Sequence, residues 1–414
     1  MKINRIRPTS VVLTRQAVAG AVLSALMYAS APAWAQQQPA APVSSTAPAA
    51  AATTPVVELS AVPAPTIAAR AWITVDVTSG QVLAASNPDT QIEPASLTKI
   101  MTAYVVFNAL KEKRITLEQQ VPVSEQAWRT GGSRMFIEPR KPVTVDELLQ
   151  GVIVQSGNDA SVALAEAVGG SESAFAAIMN QEAQRLGMTR THFMNATGLP
   201  DPQHITTVAD LALLSAALIR DHPEYYHYYK QKEFTYNKIT QPNRNRLLWA
   251  DPSVDGMKTG HTDAAGYCLV STAIRGDRRV LSVLAGADSE ATRAEESLKL
   301  LNWSFQNFDT VTLYDKSQPG VDARVWEGTV ETVKLGPPNP VSLTVPRGKA
   351  GDIKPVAQRT DPLVAPLSKG QQVGTLQLTL DGKVLRTEPL VVQDAVERAG
   401  FFGRLVDMVK RKFQ

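Results

Sequence analysis

Ser96 and Lys99 stand three residues apart in Ser96-Leu97-Thr98-Lys99, at the head of a segment that continues Ile100, Met101, Tyr104, Val105, Val106. Those apolar positions predict a helix opening after Pro94-Ala95, and the spacing puts hydroxyl and amine on one face, one turn apart. A serine hydroxyl attacks only when a base takes its proton. A lysine can be that base if burial and a neighbouring positive charge lower its pKa. The N–H groups of the helix start could then face a developing oxyanion. A second group, Ser156-Gly157-Asn158, falls where two helical patterns meet, so a polar turn could aim both side chains into a cleft. Ser156 suits a proton relay, and Asn158 suits a clamp on a substrate amide and on Lys99. The third, Lys258-Thr259-Gly260, ends a strand-like run from Val254. Lys258 brings positive charge, Thr259 a donor for a carboxylate, and Gly260 room for a substrate strand to approach.

The elements that hold these groups follow from periodicity. Ala71–Val77 and Gln81–Ala84 alternate as a hairpin about Thr78-Ser79-Gly80. Helical patterns run over Leu97–Lys111, Thr144–Gln155, Ala160–Val168, Glu172–Leu186 and Thr207–Arg220, and strands return at Tyr267–Ala273 and Val280–Ala285 before a helix over Thr292–Phe305. Strands at both ends with helices between predict an α+β domain, 67–308, with a mainly antiparallel sheet. Short Val/Leu-rich segments separated by Pro and Gly predict a small β-sandwich-like domain over 309–394.

Both termini read differently. Residues 1–35 join a basic start, the apolar Ala17–Ala29 and Ala33-Trp34-Ala35, a secretory signal with cleavage after Ala35. Residues 36–66 are rich in Ala, Pro, Gln, Ser and Thr and predict a flexible tether. In 395–414, Phe401, Phe402, Leu405, Met408, Val409 and Phe413 share one helical face, with Arg404, Lys410 and Arg411 elsewhere. That pattern predicts an amphipathic helix lying in a membrane surface.

Composition excludes several classes. Of 414 residues, 42 are Lys or Arg and 39 Asp or Glu, and loss of the signal removes Lys2, Arg5, Arg7 and Arg15. The near-neutral remainder gives no case for nucleic acid. The single Cys268 excludes a disulfide framework and reads as a small core residue. His192, His204, His222 and His227 lack zinc-peptidase spacing, so no metal or other cofactor is expected. Asp159 and Asp263 adjoin the motifs as capping or supporting acceptors, with no chemical step assigned. Nothing in the chain specifies an oligomeric state.

Ser-x-x-Lys, Ser-x-Asn and Lys-Thr-Gly, each present once and in that order, are the set found in penicillin-binding proteins and class A β-lactamases. With Pro94–Thr102, Gln155–Ala160, Asn243-Arg244-Asn245 and Val254–Asp263 around them, the chain resembles the low-molecular-weight penicillin-binding proteins of the D-alanyl-D-alanine carboxypeptidase group, penicillin-binding proteins 5 and 6. The resemblance runs from about residue 66 to the C-terminus, including Pro389–Val392 and Phe401–Gly403.

The resemblance implies a serine peptidase that removes the last D-alanine from peptidoglycan pentapeptide stems ending in D-Ala-D-Ala and is trapped by β-lactams. It gives Ser96 the nucleophile's role, Lys99 the proton acceptor's, Ser156 and Asn158 the relay and clamp, and Lys258 the electrostatic partner. The backbone N–H groups of Ser96 and His261 would form the oxyanion hole, and Arg244 would lie near the substrate carboxylate. It places the mature protein in the periplasm, attached to the outer face of the cytoplasmic membrane, in a role limiting cross-linking and maintaining cell shape. Two departures stand out. The segment Trp128–Met135 is several residues shorter than the family's loop beside the site, which puts deacylation rate and substrate preference in question, and the tether is longer than usual. A D,D-endopeptidase shares the motifs, a β-lactamase leaves 309–414 unexplained, and a penicillin-binding scaffold without turnover sits poorly with intact motifs.

Overall fold

The computed structural model describes residues 62–315, 320–359 and 361–412. Residues 1–35, read as a signal sequence, residues 36–61, read as a tether, and Phe413 of the terminal segment lie outside them. Strands β1 (Ala71–Asp76) and β2 (Gln81–Ser86) form the expected hairpin. There follow α1 (Thr98–Lys111), β3 (Gln120–Val121), α2 (Glu125–Arg129), β4 (Val143–Thr144), α3 (Val145–Gln150), α4 (Asn158–Gly169), α5 (Glu172–Arg185) and α6 (Val208–Asp221). The domain closes with the hairpin β5 (Glu233–Tyr236) and β6 (Ile239–Pro242), α7 (Leu247–Ala250), β7 (Val254–Thr262), β8 (Gly266–Arg275), β9 (Arg278–Ala287) and α8 (Glu290–Asn307).

The main sheet has the order β2-β1-β9-β8-β7, antiparallel throughout. Its strands are covered on both faces, and period 2 decides which residue goes where. Ile73, Val75, Leu281, Val283 and Ala285 join the large core built with the inner helices, while Trp72, Val280 and Leu284 belong to the smaller clusters that take in Leu300 and Leu301 of α8. Thr74 also faces α8 and bonds Ser304 (2.9 Å). Helix α1 is apolar nearly all round and is buried from Thr98 to Phe107, which marks it as a central core helix. Ser171, Thr207 and Ser289 accept hydrogen bonds from the first turns of α5, α6 and α8.

The second domain contains β10 (Phe308–Tyr314), β11 (Val321–Trp326), β12 (Thr332–Gly336), β13 (Val341–Pro346), β14 (Lys354–Arg359), β15 (Leu363–Val364), β16 (Gln372–Leu380) and β17 (Lys383–Val392). A six-stranded sheet, β14-β16-β17-β12-β11-β15, shares a core with the β10–β13 pair. The two domains meet through polar side chains. Gln81 exchanges two hydrogen bonds with the backbone of Thr344 (3.1 and 2.6 Å), and Ser79 bonds the Thr344 hydroxyl (2.7 Å).

Two terminal boundaries require correction. Residues 62–66, read as the end of the tether, lie against α8. Trp303 donates to the Pro63 carbonyl (3.2 Å) and Lys299 to that of Thr66 (3.2 Å). At the other end the helix α9 spans Phe401–Lys412 and does not begin at 395. Val396 is 3% exposed in the β-domain core and exchanges backbone hydrogen bonds with Leu367 (2.9 Å each way), so this stretch is drawn into the fold before the helix starts. Among the described residues no single helix is long and apolar enough to cross a membrane.

Candidate active site

The polypeptide enters α1 through a 3-10 turn, Ala95–Leu97, so Ser96 sits on the lip of the helix and half-exposed while Lys99 is buried one turn below. Lys99 Nζ lies 3.1 Å from Ser96 Oγ, 2.7 Å from Asn158 Oδ1 and 2.6 Å from the Thr197 carbonyl. Burial, with the charge of Arg244 added, pulls its pKa down from 10.5 to about 7 against an opposing pull from Asp159. The contacts then orient the neutral amine. A side-chain amide oxygen and a carbonyl can only accept, so they take its two N–H bonds and the lone pair is left to face the Ser96 hydroxyl.

Asn158 is placed by the break between α3 and α4. A single π turn, Gly151–Gln155, ends at Ser156, which is left-handed (φ 67°, ψ 35°), and Asn158 opens α4. Its Nδ2 donates to the Gly131 carbonyl (2.7 Å), which fixes the amide so that Oδ1 meets Lys99. The Ser156 hydroxyl is buried and has no hydrogen-bond partner among the described residues, unusual for a buried polar atom. Asp159, next in line, accepts the N–H groups of Met135, Phe136 and Ile137 (3.0, 2.8 and 3.2 Å). The short loop near Gly131 is thereby tied to the start of α4.

Strand β7 brings Lys258 and Thr259 to the other side. Both are buried, and Lys258 Nζ donates to the Thr259 carbonyl (3.0 Å). Burial first, then the charges of Lys99, Arg244 and Arg293, push the Lys258 pKa well below that of a free lysine. Lys258-Thr259-Gly260 lies inside the strand and not at its end, because β7 continues to Thr262. The role expected for Gly260 also changes. A Cβ there would lie 3.2 Å from Leu97 Cγ and 3.3 Å from Ala95 Cβ and Leu97 N, so its missing side chain lets the strand close on the Ser96 turn. His261 is exposed and rests on the Tyr267 ring, 4.1 Å between centroids. Arg244 is exposed on a turn held by buried neighbours: Asn243 donates to the Gln231 carbonyl and Asn245 to that of Gly256 (both 2.9 Å).

Of the nine residues singled out in the sequence, Ser96, Lys99 and Asn158 are in direct contact, Gly260 packs on the Ser96 turn, and Lys258 and Arg244 lie within electrostatic reach of Lys99, while Ser156, Thr259 and His261 make no direct contact with Ser96 or Lys99 among the described residues. Some supporting groups had no legible signal, since the Thr197 and Gly131 carbonyls are backbone atoms. Asn195-Ala196-Thr197-Gly198 reads only as a turn, yet Asn195 Oδ1 collects the N–H groups of Thr197 and Gly198 (3.1 and 2.7 Å) and aims the former's carbonyl at Lys99. His204 accepts from the Met194 N–H at Nδ1 (2.9 Å), which leaves Nε2 as the donor to Thr98 Oγ1 (2.7 Å) beneath Ser96. Burial lowers its pKa to about 4.

A buried amine of lowered pKa against a serine hydroxyl, with cationic groups opposite, is equipped for acyl transfer to serine. Residues 58–289 match the family model for D-alanyl-D-alanine carboxypeptidase, and 308–398 match the C-terminal domain of penicillin-binding protein 5. The chain is 49% identical over 360 residues to D-alanyl-D-alanine carboxypeptidase DacC of Escherichia coli, covering 85% of this chain and 90% of that one. The solved penicillin-binding protein 5 of Haemophilus influenzae superposes with a TM-score of 0.78 at 42% identity, over 81% of this chain and all of that one. Penicillin-binding protein D2 of Listeria monocytogenes, solved in an ampicillin-bound form, is 31% identical over 59% of this chain and all of its own, with a TM-score of 0.55. Two domain matches in series, on a fold that seats one serine against one buried lysine, leave a single conclusion: the chain belongs to the D-alanyl-D-alanine carboxypeptidases of the penicillin-binding protein 5 and 6 family, which are serine-type enzymes.

Proposed function

We propose that Ser96 is the nucleophile and Lys99 its general base. The observation that carries this reading is the 3.1 Å approach to the Ser96 hydroxyl of a buried Lys99 amine whose two N–H bonds are already taken by Asn158 and Thr197. The Ser96 proton passes to Lys99 Nζ as Oγ bonds the carbonyl carbon of the terminal D-Ala-D-Ala peptide. The carbonyl oxygen takes the negative charge, received by the backbone N–H groups of Ser96 and His261. Collapse breaks the C–N bond, the leaving D-alanine gains a proton through Ser156, and an acyl-enzyme remains for water to hydrolyse. The buried Ser156 hydroxyl has no hydrogen-bond partner among the described residues, which leaves it open to a group of the bound substrate. Asn158 holds Lys99 and keeps one amide hydrogen for the substrate, while Lys258, Thr259 and Arg244 take the carboxylate end. Gly260 serves this site by admitting the Ser96 turn.

In this reading the substrate is a pentapeptide stem, and a β-lactam imitates its last dipeptide and is held on Ser96. The protein is exported and works in the periplasm on the outer face of the cytoplasmic membrane. Helix α9 supports attachment there: Phe401, Met408 and Val409 are each more than half exposed, a costly arrangement in water that a lipid surface would relieve. The β domain is the spacer between membrane and cleft. The test is D-alanine release from a soluble peptide ending in D-Ala-D-Ala, comparing the protein with Ser96→Ala. Release that depends on Ser96 is expected, and equal release from both would overturn the assignment.

A further inference from the structure

Three arginines, Arg244, Arg246 and Arg293, lie within electrostatic reach of one carboxylate, Glu290, which bonds only the latter two. Glu290 opens α8 directly after the capping Ser289. Its Oε1 accepts from Arg293 Nη2 (3.1 Å), and its Oε2 pairs with Arg246 Nη2 (3.2 Å). Arg293 is almost wholly buried, and its guanidinium lies 5.6 Å from the centre of the Tyr267 ring on which His261 rests. Arg246 is two residues beyond Arg244, with Asn245 between them pinned to the backbone just before Lys258. Arg244 itself has no hydrogen bond or ion pair among the described residues. It is exposed, on the turn next to the buried Asn245, and its charge reaches both Lys99 and Lys258.

A carboxylate arriving here would find three cationic groups of similar chemistry within a small region. Guanidiniums bind carboxylates through matched pairs of N–H donors, so the exposed Arg246 is a docking point that competes with Arg244, while the buried Arg293 adds its charge from beneath. We propose that Glu290 is a specificity-determining residue, whose carboxylate occupies Arg246 and Arg293 and leaves Arg244 as the single open guanidinium for the C-terminal carboxylate of the substrate. The inference rests on the reading of the cleft given under Proposed function. In it Glu290 acts as a built-in competitor: it weakens anion capture at the wrong arginines and so directs the peptide end to one position.

The test measures how well two peptides slow acylation of Ser96 by a fluorescent penicillin. One is diacetyl-Lys-D-Ala-D-Ala and the other its C-terminal amide, each run against wild type, Glu290→Gln and Glu290→Asp. Glutamine keeps the acceptor for Arg293 and removes the charge. The free acid is expected to bind Glu290→Gln about 3- to 10-fold more tightly than wild type, the scale of one added ion pair, with the amide changed less than about twofold. Aspartate is expected to restore the wild-type ratio, and high salt to erase the difference. A part of Glu290 confined to capping α8 would move both peptides alike. An acid-to-amide ratio that stays level or falls in Glu290→Gln overturns the proposal. Wild type that the penicillin does not acylate at Ser96 would instead overturn the reading on which it rests.

Discussion

Asn158 Oδ1 accepts a 2.7 Å hydrogen bond from Lys99 Nζ, and the same side chain donates at 2.7 Å to the Gly131 carbonyl. Burial and the charge of Arg244 lower the Lys99 pKa, and a neutral amide at this place does not oppose them. Asn158→Asp keeps the shape and adds a negative charge at hydrogen-bond distance, which favours the ammonium form. The Lys99 pKa should rise to between about 8 and 10, and acylation at pH 7 should fall by about 5- to 500-fold. Stopped-flow acylation by a fluorescent penicillin across pH measures it. Acylation that keeps the wild-type pH profile would contradict the role given to Asn158.

The wild-type profile carries its own prediction. Lys99 can accept a proton only when neutral, and its pKa is about 7. Acylation should therefore climb as pH rises through about 7 and fall about tenfold per unit well below it. Arg244 is one cause of the lowered value, so Arg244→Ala should raise the Lys99 pKa and move this limb to higher pH. A limb that stays put, or moves to lower pH, would show that another group controls it.

Gly198 is left-handed (φ +83°), and a Cβ on it would lie 1.8 Å from the Ala95 carbonyl oxygen and 2.9 Å from Thr98 Oγ1. Gly198→Ala must push the Ser96 turn away from its place. About 1–3 kcal/mol of stability should be lost to overpacking, together with most of the acylation rate. Urea unfolding and penicillin labelling of the same sample separate the two effects.

The domain junction hides a charged pair. Asp76 Oδ2 accepts from Arg278 Nε and from the Thr310 hydroxyl (2.6 Å each), and the Asp76 side chain has no solvent exposure. Asp76→Ala leaves the largely buried Arg278 without its counter-ion. The expected cost is about 3–5 kcal/mol in chemical denaturation, because the uncompensated charge remains inside. A loss below about 1 kcal/mol would mean that water reaches the junction.

Deleting residues 401–414 removes α9 and spares Val396, which belongs to the β-domain core. The truncated protein should move from the membrane fraction to the soluble fraction and keep its penicillin binding. Unchanged fractionation would rule out α9 as the anchor.

What the sequence determined by itself was whatever depends on neighbours along the chain. Ser96 and Lys99 are three positions apart across the start of one helix, so their meeting was set locally, and alternation placed β1, β2, β8 and β9 within a few residues. The matching of three short motifs identified the chemistry for the same reason, since each is one turn or strand segment. Tertiary structure decided what depends on distant backbone. Lys99 is oriented by Asn158, 59 residues on, and by the carbonyl of Thr197, 98 residues on, and a carbonyl leaves no mark in a sequence. Its lowered pKa is likewise a product of enclosure by the whole core, and the duty of Gly260 became visible only when β7 was seen against the Ser96 turn. The boundaries at 62 and 401 shifted because hydrogen bonds from α8 side chains to the Pro63 and Thr66 carbonyls, and the burial of Val396, reward order in residues whose composition alone promises none.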